Sequence, residues 1–91
     1  MKGLVAFVEE GHVEFAVVRV QEYVMNGPQS HKNKLVADFT REFGAPAVLM
    51  SQGAGGELEF FGRLELSEWL AKNILDPRQL PWREFYLDLA A

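Results

Sequence analysis

The stretch Val13-Glu14-Phe15-Ala16-Val17-Val18-Arg19-Val20-Gln21-Glu22-Tyr23-Val24 decides how the rest of the chain is read. Its β-branched and aromatic residues mark a strand. Val13, Phe15, Val17 and Arg19 fall on one face, and Glu14, Ala16, Val18 and Val20 on the other. Apolar side chains occupy both faces between Phe15 and Val18, so this strand belongs in the middle of a sheet; beyond it the run becomes more polar.

Upstream, residues 3–8 read as a first strand, joined to the second through Glu9-Glu10-Gly11-His12 in an N-terminal hairpin. Downstream, Asn26-Gly27-Pro28 breaks the pattern. Ser30 then stands where a helix N-cap belongs, its hydroxyl able to accept from the amide of Asn33 or its neighbour. Leu35, Val36, Phe39 and Phe43 recur at helical spacing over 31–43, Gly44 suits the C-terminal cap, and Pro46 prevents continuation. Ala47-Val48-Leu49-Met50 is a short buried strand, residues 51–56 a flexible loop, and Leu58-Glu59-Phe60-Phe61 the returning strand. Ser67 can cap a second helix with the stripe Leu66, Trp69, Leu70 and Ile74, which Asp76-Pro77 ends. In the last run Phe85, Leu87 and Leu89 alternate with Glu84, Tyr86 and Asp88, the pattern of a half-buried strand.

The resulting order is ββαββαβ, an α+β class in one domain over residues 1–91. Without its first strand it is the split βαβ, or ferredoxin-like, order: an antiparallel sheet with two helices on one face. Residues 46–74, from Pro46-Ala47-Val48-Leu49-Met50 through Phe61-Gly62-Arg63 to the helix at Trp69, also resemble the C-terminal half of a thioredoxin domain. That resemblance implies a thioredoxin-like half-fold without redox activity, because the Cys-x-x-Cys that would carry it is absent.

Composition narrows the function classes. The chain has 91 residues, 48% of them apolar, and no cysteine, so packing rather than disulfides or thiolate-bound metal must stabilise it. Nine basic against thirteen acidic residues give a net charge of −4, which disfavours nucleic acid as a partner. No segment reaches the 18 or so apolar residues of a membrane span. Residues 1–8 begin like a signal peptide, but the apolar run stops at Glu9-Glu10 with no cleavage motif after it. A cytoplasmic protein is the expectation.

Residues that could carry chemistry are few. Ser51-Gln52-Gly53-Ala54-Gly55-Gly56 could offer an anion nest, but it lacks the Gly-Lys-Ser/Thr and the following helix of a phosphate loop. His31-Lys32-Asn33-Lys34 places cations at a helix start, where amides and macrodipole already favour an anion. Ser30, His31, Lys32 and Lys34 are therefore the candidate anion-binding residues. His12 lies among Glu9, Glu10 and Glu14, yet no set of three or four metal ligands is visible. There is no catalytic motif, and neither metal nor cofactor is expected. Glu22, Tyr23 and Arg63 could meet in a cleft. Trp82 and Tyr86 share the face opposite Phe85 and Leu87, and on a sheet with one open face they would form a contact surface. The expectation is a non-enzymatic protein-binding or self-assembly module, a homodimer or a partner of another protein, using that open face. The alternative is a regulatory domain binding a small anion or ligand at residues 30–34.

Overall fold

The computed structural model describes residues 2–87. In chain order the elements are β1 (Lys2–Glu10), β2 (Val13–Arg19), the short helix α1 (Glu22–Met25), α2 (Gln29–Phe43), β3 (Ala47–Gln52), β4 (Leu58–Phe61), α3 (Leu64–Asn73), a 3₁₀ turn (Pro77–Gln79) and β5 (Arg83–Tyr86). This is a small α+β domain. Asp88 and Leu89, which the alternating pattern would add to the last strand, lie outside the described residues.

The strands form one mixed sheet in the order β4-β3-β2-β1-β5. β1 and β2 pair antiparallel from Leu4↔Arg19 to Glu10↔Val13, which leaves Gly11 and His12 as the turn. β2 and β3 pair in parallel, Ala16↔Ala47 through Arg19↔Met50. β3 and β4 form the second antiparallel hairpin, and β5 returns to pair antiparallel with β1, Lys2↔Tyr86.

This topology corrects the ferredoxin-like expectation. A split βαβ unit requires a strand between its two parallel strands, whereas here β2 and β3 are hydrogen-bonded directly. The helices do not share a face either. Leu66 and Leu70 of α3 pack on one layer, with Ala6, Phe15, Val17, Val48 and Met50. Phe39 of α2 packs on the opposite layer, with Val5, Ala16, Val18, Ala47 and Leu49. The cause lies in the inner strands: Phe15–Val18 and Val48–Met50 are completely buried at every position, so each sheet face needs a cover. Gly62 lets the chain leave β4 for the second face, because a Cβ there would lie 3.0 Å from the Ala47 carbonyl oxygen. Over residues 46–74 the strand-hairpin-helix order of the thioredoxin-like reading does form, but preceded by a β-hairpin and an unsplit crossover.

The aromatic residues divide between the layers. Phe7, Phe39, Phe43 and Phe85 form an edge-to-face and stacked cluster under α2, with centroids 5.3–6.1 Å apart. On the other side Trp69 meets Phe15 edge-on at 6.3 Å. Phe60 joins the α3 layer and Phe61 the α2 layer, as adjacent strand residues must.

Several boundaries move, three of them with consequences for the site or the core. The second strand stops at Arg19, and Glu22–Met25 coil into a helical turn that buries Met25 under the sheet beside Phe39. α2 starts at Gln29 behind Pro28, whose fixed φ of −61° starts the helix with no side-chain cap. Ser30 is therefore inside the first turn. Likewise α3 starts at Leu64 and Ser67 lies within it, its buried Oγ lacking a hydrogen-bond partner among the described residues. Gly44 closes α2 as expected, at φ 67°. No helix of the described residues is long and apolar enough to cross a membrane.

Candidate functional site

β2 and β3 are parallel neighbours, so their carboxyl ends reach the same edge of the sheet. Here β2 ends at Arg19 and β3 at Gln52, and the Arg19 guanidinium donates to Gln52 Oε1 at 3.2 Å. Val20 prolongs the ladder by one bond, its amide donating to the Met50 carbonyl, before the chain turns into α1.

That turn builds a cleft of about 760 Å³. Its walls are the β2–α1 segment from Arg19 to Val24, the start of β1 at Lys2–Leu4, and the β3 end from Gln52 to Ala54. α2 supplies His31 and Leu35, four residues apart and so on one helix face. The volume falls in the range of small-molecule sites. Leu4, Val20, Val24 and Leu35 give it apolar walls, and Tyr23, 76% exposed, stands at its rim.

The charges in the cleft are not equivalent. Lys2 Nζ lies 3.5 Å from Glu84 Oε1 and 5.9 Å from the Tyr86 ring centroid, so it is already engaged. Glu22 is exposed. Arg19 is half-buried, and no carboxylate among the described residues pairs with it. Arg19 and Gln52 also border a second hollow, of about 470 Å³, beside Asp76, Pro77 and Arg78. There Arg78 Nη2 donates to Asp76 Oδ2 at 2.7 Å and the Arg78 amide to Asp76 Oδ1 at 2.9 Å. The side-chain bonds from Arg78, and then the amide, hold the Asp76 carboxyl down at about 2.

The four residues of the helix start do not converge. His31 is exposed and lines the cleft. Lys32 folds the other way, its ammonium donating to the Met25 carbonyl at 2.9 Å and lying 4.7 Å from the Phe61 ring centroid. Lys34 pairs with Asp38 at 3.0 Å, one turn along the helix. Asp38 also accepts from Arg41 at 2.6 Å, and the Lys34 and Arg41 bonds keep its carboxyl below the usual carboxylate range. Ser30 is exposed. Glu22 and Tyr23 do meet at the cleft, whereas Arg63 pairs with Glu65 at 2.7 Å and does not line it.

The glycine loop contributes Gly53 and Ala54 to the cleft wall. Two of its amides are already used: Gly53 donates to the Glu57 carbonyl and Gly56 to that of Gly53. His12 sits in the β1–β2 turn, and the described residues hold no group of three or more His, Cys, Asp or Glu placed to bind a metal. Trp82 and Tyr86 differ in exposure. Trp82 is half-buried against the α3 layer and its indole donates to the Pro77 carbonyl at 2.7 Å, while Tyr86 is 75% exposed.

Sequence reasoning missed Arg19 and Gln52 as a pair. Each ends its own strand run, and only the parallel register brings them together. No family model, curated protein or solved structure matches the chain.

Proposed function

We propose that this protein is a small-ligand-binding domain whose site is the cleft at the carboxyl ends of β2 and β3. The observation that carries this reading is the position of Arg19: a half-buried cation with no carboxylate partner among the described residues, opening into a cleft with apolar walls. Relative to the site expected at the helix start, His31 is retained, and the centre moves from Lys32 and Lys34 to Arg19. Amide chemical-shift mapping with a fragment library tests the proposal. Binders should perturb residues 19–24, 31, 35 and 52–54 together; perturbations confined to other surfaces would defeat it.

A second reading, self-association, is favoured by the exposure of Tyr86 on β5, an edge strand of only four residues. It no longer rests on a helix-free sheet face. A second copy would add to the β5 edge, and light scattering at tens of micromolar would show a dimer that Tyr86→Glu dissolves. A monomer at that concentration removes this reading.

A further inference from the structure

Resting on the cleft reading above, we infer that the ligand is a monoanionic carboxylate carried on an apolar body. The charge sets the anion. Of the cations at the cleft, Lys2 stands in an exposed pair with Glu84 at 3.5 Å, whereas Arg19 is half-buried and meets only the neutral Gln52 amide oxygen among the described residues. A carboxylate would find the guanidinium fork suited to two parallel N–H···O bonds. Glu22, on the cleft wall, opposes a second negative charge and so disfavours dianions such as phosphate monoesters.

The shape sets the body. Leu4 of β1 and Leu35 of α2 come from different elements to line the same cleft, and Tyr23 edges it. An aromatic or alkyl group can lie on this apolar surface while its carboxylate reaches Arg19. A ligand built only of charge, such as inorganic phosphate, would leave that surface unused.

The test is a titration of the full chain with four probes, followed by amide chemical shifts: phenylacetate, its neutral amide phenylacetamide, hexanoate and inorganic phosphate. Phenylacetate and hexanoate should perturb the cleft amides, and phenylacetamide should bind roughly tenfold more weakly. Arg19→Gln should abolish that preference, whereas Arg19→Lys, which retains charge without the fork, should keep part of it; both variants are checked for a native-like spectrum. If phenylacetamide matches phenylacetate at the cleft, and Arg19→Gln changes neither, the carboxylate inference falls while the cleft reading stands. Stronger perturbation by phosphate than by either carboxylate also overturns it. If none of the probes, nor any neutral fragment, perturbs the cleft, the site itself is wrong and the inference falls with it.

Discussion

The ammonium of Lys32 lies 4.7 Å from the centroid of the Phe61 ring, joining the start of α2 to the edge strand β4. The same ammonium donates to the Met25 carbonyl, the last residue of α1. One side chain therefore ties two helices and a strand together, and its charge is used inside the fold rather than offered to a ligand. Lys32→Ala should lower unfolding stability by about 1–2 kcal/mol, from a charge-assisted hydrogen bond and a cation–π contact. Lys34→Ala, which removes an exposed ammonium and leaves Asp38 paired with Arg41, should cost about 0.5 kcal/mol or less. Urea denaturation of the two variants side by side checks the contrast.

Trp82 should matter to stability far more than Tyr86. Its ring packs on the α3 layer and its indole N–H is bonded to Pro77, so Trp82→Ala should cost about 2–4 kcal/mol. Tyr86→Ala, at an exposed edge, should stay within about 0.5 kcal/mol. Thermal melts followed by circular dichroism would show the difference. For this reason Tyr86, not Trp82, is the residue with which to probe self-association.

Ser67→Ala should be neutral or stabilising, by up to about 1 kcal/mol. The buried hydroxyl has no partner among the described residues, and alanine is the better helix former. A fall in denaturation midpoint on this substitution would reveal a hydrogen bond to Ser67 Oγ.

At Gly62 an added Cβ would sit 3.0 Å from the Ala47 carbonyl oxygen and 3.1 Å from the Val48 Cα, both backbone atoms of a buried strand. Gly62→Ala should therefore destabilise by about 1–3 kcal/mol, as overpacking does. Hydrogen exchange should locate the loosening in β3 and β4.

Asp76 should titrate at about 2, held below its ordinary value of 3.8 first by the Arg78 side chain and then by the Arg78 amide. A folded-state value below the unfolded one gives stability that is present above the unfolded value and lost as pH falls through about 2. A carboxyl carbon NMR titration should show the low midpoint, and Arg78→Ala should move it upward. The Arg78 side chain is 91% exposed, so added salt should weaken the effect.

Much of the fold was legible along the chain, because element type follows from periodicity and local chemistry. The two hairpins, the α2 stripe and the Gly44 cap appear where the residues imply, whereas the second strand stops at Arg19 instead of running on to Val24, and α3 ends at Asn73, ahead of Asp76-Pro77. Topology was not legible from order alone. The clue to two-faced burial was present in Phe15–Val18 and again in Val48–Met50, since a strand with no polar face must be covered twice. The helix starts misled because serine suits an N-cap, yet Pro28 and Arg63 precede the actual first turns. In the cleft, His31, Glu22 and Tyr23 were visible as polar candidates. Arg19 was not, because its significance depends on a strand that arrives about thirty residues later in parallel register.

The pairing of Lys2 with Tyr86 also has a mechanical meaning. β1 and β5 are antiparallel, so the first described residues of the one lie beside the last residues of the other. Tension applied at these two ends would peel the strands apart one pair at a time, from Lys2–Tyr86 toward Val5–Arg83, instead of shearing all the bonds at once. Under load β5 would come away first, while β1 to β4, with the cleft between them, would still hold.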